Sequence, residues 1–188
     1  MDDVFGGLAG APGGDGGGAP VEPDRLEPVL ESARLWGVEL DTRYRVLACT
    51  FEPTAERYPW PSGGNGEAEG DRRIQVLGFP VSTILASLRR ETEEERELLE
   101  FGEEQLVDVV AAFDGAPVSG PLFGLPEPRP GSWGPRFSLQ GRSSAPDGTR
   151  RTLTIAVRHE ELALDVFARF DELTLKDAAG EDLPLPTD

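Results

Sequence analysis

Glycine and proline restrict the fold of this chain more than any other residues, because they are concentrated in three stretches. The 188 residues include 23 glycines and 17 prolines. Residues 1–24 are rich in both, residues 53–72 contain PWPSGGNGEAEGD, and residues 115–135 hold six prolines and five glycines. Proline lacks a backbone donor and glycine has a high conformational entropy, so these stretches disfavour helices and central strands. Regular structure is therefore expected between them.

The segments between the first and third stretches show the periodicity of short helices and strands. Asp24 and Glu27 match a capping box at the start of a short helix that extends to about residue 33. Apolar residues in the same region predict strands at 36–40, 44–51 and 74–79 and a helix at about 103–114 that ends at Gly115.

Residues 80–91 (PVSTILASLRRE) are compatible with two structures. Val81, Ile84, Leu85 and Leu88 match the helical template, whereas Ile84, Ala86 and Leu88 alternate as in a strand. A proline is well tolerated in the first turn of a helix, so Pro80 favours the helix.

The C-terminal third predicts an antiparallel meander with one buried face. Apolar residues alternate in short runs at 136–140, 153–157, 162–170 and 173–175. Asp147-Gly148 is a strong hairpin signal, and the segment after residue 175 suggests one more edge hairpin. We therefore expect an α+β domain at 25–178 with a mainly antiparallel sheet of about six to eight strands and two or three helices. A disordered acidic arm at 1–24 precedes it, and a flexible tail at 179–188 follows it.

Three residue types that carry much of enzyme chemistry occur once each: His159, Cys49 and Lys176. Phosphate-binding, dinucleotide-binding, HExxH and GxSxG motifs are absent, and one cysteine and one histidine do not make a zinc site. Cys49 lies in an apolar strand and His159 in a turn, which disfavours a catalytic pair. We predict no catalytic residues, no metal site and no cofactor.

The charge of the chain limits the choice of partners. Asp and Glu number 35 against 18 Lys and Arg, which gives a formal charge of −17. Nucleic acids and anionic membranes are bound mainly through Lys and Arg, so both are disfavoured. A basic protein would be attracted, although an acidic surface also serves solubility. Without an apolar run of membrane-spanning length or a secretion signal, we expect a cytoplasmic protein.

Two surfaces are candidates for partner binding. The acidic segment around Glu94, Glu95 and Glu97 is either a docking face or a solvated helix or loop. The Pro-rich loop places Phe123, Arg129 and Trp133 on a restricted backbone, where they either contact a partner or cover an open sheet edge. Trp60 in YPWP has the same two interpretations.

Absent motifs and an acidic composition together favour a non-catalytic protein-binding module, such as an adaptor, an assembly factor or an immunity-type inhibitor. The alternative is an enzyme acting on a small substrate, a hydrolase or isomerase, that relies on Asp or Glu and Arg without a metal or nucleotide. A pocket that gathers an arginine with a carboxyl of strongly shifted pKa would favour the enzyme.

Overall fold

The computed structural model describes residues 21–57, 59, 71–129, 137–141 and 151–184. Most of the predicted arm and the Asp147-Gly148 turn lie outside these residues. The last residues of the predicted arm belong to the fold, because Val21 is buried in the core and the first helix begins at Pro23.

Two short helices and seven strands form the described structure. In chain order the elements are α1 (Pro23–Leu30), β1 (Arg34–Asp41), β2 (Val46–Glu52), β3 (Ile74–Glu91), β4 (Arg96–Leu99), a 3-10 turn (Glu103–Gln105), α2 (Leu106–Ala111), β5 (Phe137–Gln140), β6 (Arg151–His159) and β7 (Leu162–Asp177).

All seven strands belong to one antiparallel sheet with the order β1-β2-β3-β7-β6. β4 and β5 both pair with the second half of β3, on the edge opposite β7. Two long strands, β3 and β7, therefore run through the centre of the fold. The predicted α+β class with a mainly antiparallel sheet and few helices is confirmed.

A segment of the Pro-rich region, residues 116–123, joins the two outer strands of this sheet. On one side the Leu35 amide donates to the Ala116 carbonyl at 3.1 Å, and the Val118 amide donates to Ala33 at 2.9 Å. On the other side the Ser119 amide donates to Ala156 of β6 at 2.9 Å. The sheet is thereby closed around a core despite the density of proline and glycine.

The core lies inside this closed sheet and includes one face of each helix. α1 contributes Leu26, Val29 and Leu30, and α2 contributes Leu106 and Val110. Other large side chains that are fully buried include Phe51, Phe113, Phe170, Leu35, Leu47, Ile74, Ile84 and Leu122. None of the helices in the described residues is long and apolar enough to cross a membrane.

The helix predicted at 80–91 is wrong, because these residues complete β3. Every residue from Val81 to Arg89 is buried. Ile84 and Ala86 belong to the main core, whereas the intervening Leu85 faces the other side and pairs with Phe167 of β7. A strand buried on both faces carries apolar residues at consecutive positions, and such a run also contains the helical spacing.

The C-terminal strands are longer and differently paired than predicted. β7 continues through Asp171 and Glu172, where two separate strands were expected, and β5 pairs with β3 rather than with β6. The expected edge hairpin is confirmed by a bridge between Lys176 and Asp182. Part of the predicted flexible tail is therefore paired with β7.

The other two predicted helices, near the start of the chain and at 103–114, are confirmed, but the capping box is not. The 3-10 turn and α2 occupy much of the predicted helix at 103–114, and Gly115 follows with a φ of 66°. α1 begins without a side-chain cap. The Glu27 carboxylate instead accepts the backbone N–H groups of Leu122 at 2.8 Å and Phe123 at 2.9 Å. It therefore fixes the closing segment rather than the start of its own helix.

Candidate functional site

The described part of the Pro-rich loop covers part of the sheet, and its apolar side chains Leu122 and Phe123 are buried. Phe123 is buried in the core and forms a bridge with Leu153 of β6, so its ring offers no surface to a partner. Beyond it, the Thr152 hydroxyl donates to the Leu125 carbonyl at 2.9 Å. Glu127 then forms an ion pair with Arg169 of β7. The loop thus passes over β6 and reaches β7.

The other predicted contact residues of the loops have different positions. Arg129 is exposed at the end of the described part of the loop. Trp60 and Trp133 lie outside the described residues, so their part in partner binding stays a prediction.

The acidic segment forms a hairpin rather than a helix. β3 pairs with β4 from Leu88, which lies opposite Leu99, to Glu91, which lies opposite Arg96. Residues 92–95 form the turn between the two strands. The Thr92 amide donates to the Glu95 carbonyl at 2.9 Å, and the Glu95 amide donates to the Thr92 hydroxyl at 3.1 Å. These bonds close the turn and leave the side chains of Glu94 and Glu95 exposed.

A second acidic turn lies beside the first. The β6–β7 turn contains Glu160 and Glu161, and the Glu91 amide donates to the Glu161 carbonyl at 2.6 Å. Five exposed glutamates from segments about 65 residues apart in sequence thereby collect at one end of the sheet. We call this group the acidic tip; it consists of Glu93, Glu94, Glu95, Glu160 and Glu161.

Arginines surround a single carboxylate directly behind the acidic tip. The Glu91 carboxylate accepts from Arg89 at 2.9 Å and lies 3.3 Å from Arg96 and 3.8 Å from Arg158. Arg89 is only 4% exposed and forms a second ion pair with Asp165 of β7. On the hairpin, Glu97 is paired with Arg90 at 3.0 Å. Of the three glutamates predicted to contact a partner, Glu97 therefore forms an ion pair within the fold.

The pKa shifts of Glu91 and Arg89 favour the charged form of each side chain. The hydrogen bond from Arg89, together with the positive charges of Arg158 and Arg96, holds the pKa of Glu91 below its usual value. Burial disfavours the charge of Arg89, but hydrogen bonds to Glu91 and Asp165 outweigh it and raise the pKa of Arg89. A carboxyl that donates a proton near neutral pH needs a raised pKa, and Glu91 shifts in the opposite direction.

The single cysteine and histidine lie in different parts of the sheet. Cys49 is fully buried in β2, where burial raises the pKa of its thiol. His159 ends β6, and two strands, β3 and β7, lie between β2 and β6 in the sheet. Within the described ranges, no group of three or more His, Cys, Asp or Glu side chains has the arrangement of a metal site.

A cleft of ≈ 670 Å³ lies between the C-terminal end of α1 and residues 118–121 of the closing segment. Glu31 and Ser32 line one wall, and Ser119 and Pro121 line the other. At the α1 side, Nη1 of Arg57 donates to the Pro28 carbonyl at 2.9 Å and to Oε2 of Glu31 at 2.5 Å. Neither this cleft nor the contribution of Glu160 and Glu161 to the acidic tip is evident from local sequence patterns, because both depend on pairing between distant segments.

Comparisons of the chain with protein-family models, with curated proteins and with solved structures find no match. Function is therefore inferred from the geometry of the described residues.

Proposed function

We propose that this protein is a non-catalytic protein-binding module that uses its acidic tip to engage a basic protein partner. The observation that supports this proposal is the meeting of two acidic turns, fixed by the hydrogen bond between the Glu91 amide and the Glu161 carbonyl. Five carboxylates on two adjoining turns present a concentrated negative field to an approaching molecule. A basic surface has the charge that such a field attracts.

The carboxylates of the tip are available for an external partner. Within the described part of the chain, no ion pair engages Glu93, Glu94, Glu95, Glu160 or Glu161. The glutamates that face the sheet, Glu91 and Glu97, are instead paired with arginines. The fold thereby separates carboxylates that stabilise the hairpin from carboxylates that point into solvent.

The backbone beneath the tip supports binding because it is held in one arrangement. Thr92 closes the β3–β4 turn through its hydroxyl, and Arg89 links β3 to β7 through Asp165. A preorganised surface loses less conformational entropy on association than a flexible one. Exposed charges mainly raise association rates and specificity, so we expect binding that weakens strongly with salt. We further propose a cytoplasmic location, in keeping with the single cysteine of the sequence.

The test uses two variants with the same change in charge. The tip variant carries Glu93→Gln, Glu94→Gln and Glu95→Gln, and the control carries Glu56→Gln, Glu172→Gln and Glu181→Gln at exposed positions outside the tip. Each protein is used in quantitative pull-downs from native lysate at two salt concentrations, with mass spectrometry of the retained proteins.

We expect a basic protein that is retained by the wild type and the control and lost from the tip variant, with retention falling as salt increases. Equal retention by all three proteins would show that the tip does not bind the partner. Fractionation of the native cell tests the proposed location.

A further inference from the structure

The cleft between α1 and residues 118–121 has walls that are held in place by specific hydrogen bonds. Glu27 fixes the closing segment through the N–H groups of Leu122 and Phe123. Ser119 donates to the Ala156 carbonyl from its amide at 2.9 Å and from its hydroxyl at 3.2 Å. The cleft is therefore formed before any ligand arrives, which lowers the entropic cost of filling it.

The chemistry of the α1 wall favours a cation. Glu27 and Glu31 contribute two carboxylates, and the carbonyl end of α1 carries the negative end of the helix dipole. Pro28 and Pro121 contribute apolar surface to the same cleft. Acceptors next to apolar surface suit an arginine side chain, which has a charged planar end and an apolar stem.

Two acceptors of the α1 wall, the Pro28 carbonyl and the Glu31 carboxylate, already bind the guanidinium of Arg57. Its guanidinium reaches from beyond β2 to the Pro28 carbonyl at 2.9 Å and to the Glu31 carboxylate at 2.5 Å. The Arg57–Glu31 pair is exposed, with 39% and 63% of the two side chains accessible. Such exposed pairs contribute little to stability, so a second guanidinium is able to compete for the same acceptors.

We propose that this cleft binds an arginine side chain of a protein partner and that Arg57 is its internal competitor. The occupant is inferred from charge complementarity and from the guanidinium already bound to Pro28 and Glu31. That this partner is the same protein that contacts the acidic tip rests on the proposed function above. The affinity of the cleft for arginine does not depend on the tip.

The probe is a fluorescein-labelled peptide, Gly-Arg-Gly-Arg-Gly-Arg-Gly, measured by fluorescence anisotropy with the full chain at constant ionic strength. Arg57→Gln removes the competitor and is expected to tighten binding about threefold, whereas Glu31→Gln removes an acceptor and is expected to weaken it about threefold. The matched controls are Arg43→Gln, on the turn at the far end of β1, and Glu172→Gln, on β7. They change the net charge by the same amounts and should alter the Kd far less. A peptide with citrulline in place of arginine should not bind.

Equal effects of Arg57→Gln and Arg43→Gln would overturn the inference, because binding would then follow net charge alone. Binding of the citrulline peptide with unchanged Kd would overturn it as well. The same titrations in the tip variant separate the two proposals. If the Arg57→Gln effect persists there while the partner is still retained, the cleft inference holds and the proposed role of the tip fails. If the tip variant loses the partner but Arg57→Gln changes the Kd no more than Arg43→Gln does, the proposed role of the tip holds and the cleft inference fails.

Discussion

Replacement of Glu27 by glutamine tests whether one carboxylate holds the closing segment onto α1. In the structure its two oxygens accept the N–H groups of Leu122 and Phe123, which are both buried residues. A glutamine side chain has nearly the same shape but only one acceptor oxygen. Its amide NH₂ would face the second backbone N–H, so one buried donor would lose its partner.

The expected loss of stability follows from the strength of that bond. A hydrogen bond to a charged group contributes about 1.5–3 kcal/mol, and a buried donor without a partner costs about 1–3 kcal/mol. Because Glu27 is half-buried, we expect Glu27→Gln to lower the free energy of unfolding by about 2 kcal/mol. For a chain of this size, that corresponds to a fall in Tm of about 4–8 °C.

Two control variants distinguish this role from helix capping. Asp24→Ala should cost less than about 0.5 kcal/mol, because α1 has no side-chain cap, whereas a capping box would make it cost about 1 kcal/mol. Glu31→Gln, one turn later in an exposed position, should also cost under about 1 kcal/mol. The measurement is urea and thermal unfolding followed by circular dichroism. If Glu27→Gln costs no more than Glu31→Gln, the two backbone hydrogen bonds do not hold the closing segment onto α1.

Three further predictions concern the buried thiol of Cys49, the backbone at Gly115 and the carboxylate of Glu91. Cys49 should react with a thiol reagent only after unfolding, because burial raises the pKa of its thiol; rapid reaction of the native protein would contradict its position in the core. Gly115→Ala should lower Tm clearly, since Gly115 has a φ of 66° and an added Cβ would lie 2.8 Å from the Trp36 ring; an unchanged Tm would refute this packing. The pKa of Glu91 is lower in the folded state than in the unfolded state, so its ionisation stabilises the fold at pH values above the unfolded pKa of about 4.3. This stabilisation is lost as the pH falls through the pKa of Glu91 in the folded state. The stability difference between wild type and Glu91→Gln should therefore shrink below about pH 4, and a difference independent of pH would contradict the ion pairing.

Local sequence patterns predicted the correct secondary structure where only one face of an element is buried. They did not distinguish a helix from a strand where both faces are buried. The alternation around Val38 and Leu40 correctly predicted β1, and the apolar spacing of Leu106 and Val110 correctly predicted α2. Val81–Arg89 is buried on both sides, so its periodicity did not distinguish a helix from a strand.

Contacts between distant segments explain the remaining differences. The spacing of Asp24 and Glu27 fits a capping box, but backbone donors 95 and 96 residues away bind the Glu27 carboxylate instead. The acidic run containing Glu94 was identified from composition, whereas its meeting with Glu161 requires the pairing of β3 with β7. The acidic run therefore contains three of the five glutamates of the acidic tip, and the topology adds Glu160 and Glu161.

The distribution of arginine explains how a strongly acidic chain keeps five carboxylates together at one end. Directly behind the tip, Arg89, Arg90, Arg96 and Arg158 outnumber the carboxylates they pair with, which are Glu91, Glu97 and Asp165. This excess of positive charge offsets part of the repulsion among the tip glutamates without binding any of them directly. Screening limits interactions between exposed charges to about 8 Å at physiological salt, so the arginines stabilise the base of the hairpin more than they weaken the field at its end. The side chains of Arg90, Arg96 and Arg158 are themselves more than half exposed, so a basic surface is favoured where it contacts the five glutamates of the two turns and leaves these arginines open to solvent.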